Sequence, residues 1–151
     1  MKVIAPSTFK LIEAKLHNYK QMETEIALWV QEIGMSSSNQ KENIRGVGYV
    51  SDPTANEVLK SFKLDYPPKR IQDFMDWIEV IDKTIAYAKQ HNSYKVYFMW
   101  YERGRQITVT SAYTRLGMPE RTFKAKRWNI VNYAGVKALE KGLIKKLYEN
   151  F

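Results

Sequence analysis

Residues 107–127 read Ile-Thr-Val-Thr-Ser-Ala-Tyr-Thr-Arg-Leu-Gly-Met-Pro-Glu-Arg-Thr-Phe-Lys-Ala-Lys-Arg, and their spacing is that of a helix-turn-helix. Ala112 and Leu116 stand four residues apart, as on the buried face of one helix. Gly117 follows at the turn, where a left-handed backbone is needed and glycine adopts it at little cost. Phe123 then faces inward from a second helix. The stretch therefore predicts two helices joined by a tight turn.

Pro119 can open the second helix, because its missing N–H needs no partner at that position. This helix is expected to expose a group of polar and charged side chains. In a helix-turn-helix the first turns of this helix enter the major groove of DNA. Arginine pairs with guanine and glutamate accepts from cytosine, so Arg121 and Glu120 are the predicted base readers. Lysines and arginines beside them are expected to meet phosphates. The predicted DNA-binding residues are Glu120, Arg121, Thr122, Lys124, Lys126, Arg127 and Arg115.

Charge is segregated along the chain. Residues 105–151 hold ten Lys or Arg against three acids, whereas residues 1–104 hold 14 basic and 13 acidic groups. Most of the net charge of +8 therefore lies in the last third. A basic segment of this kind is typical of a polyanion binder, because each cation placed on a phosphate releases condensed counterions.

Long helices are predicted for the rest of the chain. Apolar residues recur at heptad spacing from Thr8 to Ile33, a helix that Ser7 would cap and Gly34 would end. A second seam of matching period covers 69–90. We expect the two helices to pair in antiparallel fashion, within one chain or between copies, so a homo-oligomer formed through them is a possible assembly.

The connecting segments are assigned by composition. A mobile loop is predicted at 35–52, with a helix start at Ser51-Asp52-Pro53 and a short helix carrying Ala55, Val58, Leu59 and Phe62. Another helix should run from Tyr94 to about Tyr101, and the tail from Val136 to Phe151 should remain helical. The chain is thus expected to be all-α, with a helical scaffold or oligomerisation region at 1–104 and a helix-turn-helix DNA-binding region at 105–151.

Several classes of function are disfavoured. The chain has no cysteine, and its two histidines, His17 and His91, lack the spacing of metal ligands. It has no glycine-rich phosphate loop and no run of about 18 apolar residues that would span a membrane. We therefore expect no enzyme, no metal, no cofactor and no membrane partner, and a cytoplasmic location.

Short motifs across most of the chain suggest a relationship. They are Leu16-His17-Asn18-Tyr19 with Glu23-Thr24-Glu25-Ile26, then Ser51-Asp52-Pro53-Thr54, then Leu116-Gly117-Met118 and Arg121-Thr122-Phe123 followed by Ile130-Val131. In these the chain resembles the RinA/ArpU-like phage late-transcription regulators, small helical activators, and its C-terminal part looks like the DNA-reading region of sigma factors. The resemblance implies activation of phage late genes in a bacterial host cell, with double-stranded DNA and host RNA polymerase as partners.

Two other classes of function stay open. The DNA-recognition (small) subunit of a phage packaging terminase would also join a helix-turn-helix to a helical oligomerisation segment, but as a closed ring. A helical protein-interaction module would use the basic face to dock an acidic partner, and it would show no salt-dependent affinity for duplex DNA.

Overall fold

The chain is mostly helical. The computed structural model describes residues 2–44, 59, 64–103 and 107–150, except the side chains of 35–44 and 150. The described helices are α1 (Pro6–His17), α2 (Tyr19–Ile44), α3 (Lys69–Gln90), α4 (Tyr94–Tyr97), α5 (Val109–Leu116) and α6 (Glu120–Glu140). This confirms the coarse part of the all-α prediction, which is that the chain is mostly helical. Within the described ranges, no helix combines the length and the apolar character needed to cross a membrane.

The helix predicted from Thr8 to Ile33 is in fact two helices. α1 begins at Pro6, whose fixed φ suits a first helical position, and Ser7 provides no side-chain cap. Asn18 interrupts the helical path with φ −95° and ψ 13°, and its N–H is shared between the carbonyls of Ala14 and Lys15. Asparagine suits such a break because its side chain competes with helical hydrogen bonds. The prediction of one continuous helix was therefore wrong.

α2 also extends further than predicted. Gly34 lies inside α2, which continues to Ile44, so the predicted loop is wrong for residues 35–44. A glycine within a helix costs only about 1 kcal/mol relative to alanine, and it ends a helix only where the backbone turns left-handed. Residues 45–52 of the predicted loop lie outside the described residues, as does most of the short helix predicted after them. Of that helix, Leu59 is described as helical and exposed.

The second long helix is confirmed at its predicted bounds, since α3 spans Lys69–Gln90. The antiparallel pairing of the two long helices stays a prediction. The helix expected from Tyr94 begins as α4 and changes to a π-helical turn at Phe98–Glu102.

The predicted helical tail is the clearest error. α6 ends at Glu140, and Gly142 then adopts φ +75°. The N–H of Leu143 reaches the carbonyl of Ala138 at 2.9 Å, and that of Gly142 reaches Leu139 at 3.1 Å. This pair of bonds is a Schellman helix end. The chain then reverses, and strand β2 (Tyr148–Asn150) pairs antiparallel with β1 (Lys2–Ile4).

The chain divides into two compact units, Met1–Lys20 with Asp76–Phe151 (unit 1) and Gln21–Met75 (unit 2). This division differs from the boundary predicted at residue 104. Unit 1 has an apolar core in which α6 contacts α1, α4 and α5. Its fully buried side chains include Ile12, Leu16, Val96, Tyr97, Phe123, Ile130 and Val131. Unit 2 buries Met22, Ile33 and Ile71, and Arg70 pairs there with Glu25 at 3.0 Å.

Candidate nucleic-acid interface

The turn between α5 and α6 has the backbone that the sequence predicted. Gly117 adopts φ +65° and ψ 33°, the left-handed conformation. The N–H of Gly117 binds the carbonyl of Thr114, and that of Met118 binds the carbonyl of Tyr113, both at 3.1 Å. This is again the Schellman pattern. The turn fixes where α5 stops and where the chain starts toward α6.

The first turns of α5 and α6 are built differently. The hydroxyl of Thr108 accepts from the N–H of Ser111 at 3.1 Å and caps α5. Pro119 is extended and lies directly before α6, so it is the N-cap residue and not, as predicted from the sequence, the first residue of the helix. Its carbonyl accepts from the N–H of Phe123 at 3.1 Å, which closes the first turn of α6.

One side of α6 is anchored in the core of unit 1. Phe123 and Ile130, seven residues apart, are fully buried. The ring of Trp100 meets that of Phe123 edge-on, with centroids 5.8 Å apart and planes at 77°. Burying a side chain of this size contributes about 2–3 kcal/mol. The orientation of α6 in unit 1 is therefore fixed by packing.

Arg127 belongs to this anchored side. Its Nε and Nη2 donate to Oε2 and Oε1 of Glu13 on α1, at 2.9 and 2.6 Å. The Glu13 carboxylate also accepts from Trp100 Nε1 at 3.2 Å and from the Tyr101 hydroxyl at 2.6 Å. The two charged side chains are only 22% (Arg127) and 13% (Glu13) exposed. Because its guanidinium is held in a bidentate pair, we leave Arg127 out of the phosphate-contacting set.

Ionisation of this network follows from its contacts. Burial alone raises the pKa of the Glu13 carboxyl, but hydrogen bonds from Arg127, Tyr101 and Trp100 and the charge of Arg127 bring that pKa below its ordinary value. For Arg127, burial lowers the pKa, and the bonds and charge of Glu13 more than offset it. Burial, followed by the charge of Glu13, raises the pKa of the Tyr101 hydroxyl. At neutral pH the network is thus a full ion pair with a neutral tyrosine.

Two predicted phosphate contacts differ in their surroundings. Lys126 Nζ donates to the backbone carbonyl of Asn92 at 2.5 Å, so this side chain is directed toward the segment after α3. Lys124 pairs with Glu120, one helical turn earlier, at 2.8 Å. Both partners of this second pair are half exposed or more. Such exposed pairs contribute little stability and can open for another anion.

A second side of α6 is open to solvent. We call it the outer face and define it by Arg121, Lys124, Ala125, Trp128 and Asn129, all of which are exposed. Trp128 is 37% exposed. Arg121 and Lys124 were predicted from the sequence as DNA contacts, whereas Ala125, Trp128 and Asn129 were not. The signal was present, since these positions follow Arg121 at helical spacings of four, seven and eight.

The remaining predicted residues flank this surface. Arg115 is exposed in the last turn of α5, and Thr122 is half-buried beside the outer face. The structure therefore groups Arg121 and Lys124 on one face, with Glu120 attached to Lys124. It separates Lys126 and Arg127 from them.

The basic excess of the C-terminal third is partly neutralised inside unit 1. Lys141 pairs with Asp76 at 3.6 Å and also with Glu79 of α3, and Arg127 takes Glu13. In the described part of residues 105–151, the cations that form no ion pair with another described residue are Arg115, Arg121, Lys126, Lys145 and Lys146.

The histidines lie against tyrosine rings. His17 meets Tyr101 edge-on at a centroid distance of 5.0 Å, and His91 lies 4.3 Å from Tyr87. Tyr87 in turn stacks on Tyr133 of α6 at 4.3 Å. Across the described ranges, no three His, Asp or Glu side chains are grouped as metal ligands.

Comparison with known proteins gives no relative. The chain matches no protein-family model, no curated protein and no solved structure. The function must therefore be inferred from the residues of α5 and α6 themselves.

Proposed function

We propose that this protein is a sequence-specific regulator of transcription that binds double-stranded DNA by inserting α6 into the major groove. The single observation that carries the proposal is the two-sidedness of α6. Its inner side is fixed by Phe123, Ile130 and the Glu13–Arg127 pair, while its outer face presents Arg121 and Lys124 to solvent.

The dimensions and the turn support this use. An α-helix with its side chains is about 10–12 Å wide, which the major groove of about 12 Å admits. The left-handed Gly117 ends α5 just before the proposed recognition helix, as in helix-turn-helix proteins. The anchored inner side matters as well, because a base-reading helix must be held in one orientation to discriminate between bases.

Individual roles follow from the contacts. Arg121 forms no ion pair with any described residue, so its guanidinium is available to the two acceptors of guanine. Lys124 would leave Glu120 for a backbone phosphate, which frees Glu120 to accept from cytosine. Arg115 and Thr122, at the flanks, would contact phosphates. Lys126 and Arg127 would hold the helix in place.

The proposed place of this activity is the control of phage late genes, with host RNA polymerase as a partner. This part rests on the resemblance in short motifs to the RinA/ArpU-like activators. The proposal of late-gene control is independent of the proposal of DNA binding, because the small subunit of a packaging terminase would also need a face that binds duplex DNA. Mass in solution separates the two, since a packaging subunit forms a closed ring whereas an activator is expected to be a monomer or dimer.

The test is fluorescence-anisotropy binding to duplexes tiled across the DNA around this protein's own gene, with scrambled controls, at two salt concentrations. We expect one tile to bind about 10³-fold or more tightly than its scrambled version. Arg121→Ala should cost about 1–3 kcal/mol on that tile. Arg103→Ala is the charge-matched control, because Arg103 is also exposed but lies outside α5 and α6.

The possible failures are informative. Equal losses for Arg121→Ala and Arg103→Ala would show that binding depends on net charge alone. Uniform, steeply salt-dependent binding to every duplex would contradict sequence-specific regulation and favour the packaging function. An absence of binding at low salt would overturn DNA binding and leave an acidic protein as the partner.

A further inference from the structure

Asn129 and Trp128 lie on the outer face two helical turns beyond Arg121. The helix-turn-helix pattern assigns base contacts to the first turns of α6 and gives no role to these two residues. We propose that Asn129 is a second base reader, which recognises an adenine about three base pairs from the guanine read by Arg121. This inference rests on the proposed function and specifies the DNA sequence that the protein selects.

The geometry of the helix brings these residues together. At 3.6 residues per turn, Arg121, Ala125, Trp128 and Asn129 fall within an arc of about 100°. The rise from Arg121 to Asn129 is about 12 Å, which spans roughly three steps of B-form DNA at 3.4 Å each. One straight helix lying along the groove therefore presents both side chains to bases of the same site.

The chemistry of the amide suits adenine. Asparagine offers one acceptor and two donors, and it pairs in bidentate fashion with N6 and N7 of adenine in the major groove. Asn129 is exposed, and among the described residues its side chain makes no hydrogen bond that would satisfy these groups. Asparagine is also a weak helix former, so its place in the middle of α6 does not serve helix stability.

The neighbours of Asn129 favour an A·T-containing site. Ala125 is small and exposed, so the helix can come close to the base edges there. Trp128 is more than a third exposed and offers an apolar edge. Apolar side chains are the usual contacts of the thymine methyl group. Together these residues are suited to thymines next to the adenine.

The outer face ends one turn later. Asn132 is half-buried, and its Oδ1 accepts from the Tyr148 hydroxyl at 2.5 Å, so this amide is used inside unit 1. The contrast between the two asparagines, three residues apart on α6, sets the limit of the proposed base-reading surface at Asn129.

The experiment selects bound sequences from a randomised duplex pool with the full-length protein, and compares the wild type with Asn129→Ala, Arg121→Ala and Gln90→Ala. Gln90, an exposed amide at the end of α3, is the matched control. We expect the wild type and Gln90→Ala to select a guanine and, about three base pairs away, an adenine. Asn129→Ala should keep the guanine and lose the adenine, and Arg121→Ala should do the reverse.

Anisotropy on the selected site then measures the pairing directly. Replacing the A·T pair by G·C should weaken wild-type binding about 5- to 150-fold, and Asn129→Ala should lose a similar factor on the original site. In the Asn129→Ala variant, replacing the A·T pair by G·C should weaken binding by less than a further factor of about two. The reason is that Asn129 and the adenine form one contact, which either change already removes. Losses that simply multiply would overturn the assignment of Asn129 while leaving DNA binding intact. A wild type that selects no consensus would overturn the proposed function and this inference with it.

Discussion

Arg121 and Arg127 are the same residue type on the same helix, six positions apart, and they have opposite surroundings. Arg127 is mostly buried, held by Glu13 and stacked over the ring of Trp100 at 4.7 Å. Arg121 is exposed and forms no ion pair with a described residue. α6 thus carries two kinds of cation. Those on the inner side fix the helix, and only those on the outer face are available to a polyanion.

We expect the greatest loss of stability from removing Arg127, which holds the inner side of α6. Arg127→Ala would leave the Glu13 carboxylate buried without its counter-ion, and we expect a loss of about 3 kcal/mol in the free energy of unfolding. Arg121→Ala, the matched control on the outer face, should change it by less than about 0.5 kcal/mol. Urea denaturation followed by far-UV circular dichroism measures both. Equal losses would erase the distinction between the two arginines.

A second change tests how tightly the C-terminal half of α6 packs. Gly135 lies on α6 where an added Cβ would collide with the Leu147 side chain and come within 3.1 Å of Ile12 Cδ1. We expect Gly135→Ala to cost about 1–3 kcal/mol through overpacking. In a Leu147→Ala background the same change should cost less or even stabilise, since alanine favours a helix by about 1 kcal/mol. Equal costs in both backgrounds would contradict a close contact between Gly135 and Leu147.

A smaller effect should appear with pH. The pKa of Glu13 is lowered in the folded state, so its contribution to stability is full above the ordinary carboxyl pKa of about 4.3 and is lost as the pH falls through the folded value. Glu13→Gln should remove this part of the acid dependence. Denaturant midpoints of wild type and variant, measured from pH 7 to pH 3, provide the check. Parallel curves over this range would show that Glu13 does not titrate as described.

Lys126 should contribute less to stability than Arg127 does. Its ammonium donates to the exposed carbonyl of Asn92, so Lys126→Ala should cost about 0.5–1 kcal/mol of stability. We expect Lys124→Ala, in contrast, to leave stability nearly unchanged and to weaken binding to all duplexes alike. If Lys126→Ala weakens DNA binding as much as Lys124→Ala does, Lys126 would belong to the DNA-binding surface, contrary to our assignment.

Local signals predicted much of the fold. The α3 bounds, the Gly117 turn and the burial of Phe123 follow from periodicity and from the conformational freedom of glycine. The same rule, applied to Lys141-Gly142-Leu143, would have predicted the end of α6. The sheet that joins the two ends of the chain could not be predicted this way, because its partners are more than 140 residues apart.

The candidate site could be predicted only in part for the same reason. Helical spacing identifies which residues share a face with Arg121, and so indicates Trp128 and Asn129. It does not identify Glu13 as the partner of Arg127, because that contact joins residues 114 apart in sequence. Net charge counts both arginines equally, whereas burial separates them.

We expect DNA to contact the outer face of α6, and the indole N–H signals of an NMR titration show which side of the helix it contacts. Trp128 lies on that face, whereas Trp100 donates to Glu13 at 3.2 Å on the anchored side. On addition of the selected duplex to labelled protein, we predict that the Trp128 indole signal shifts or broadens while the Trp100 signal stays in place. A shift of Trp100 with an unmoved Trp128 would contradict the proposed orientation of α6 on DNA.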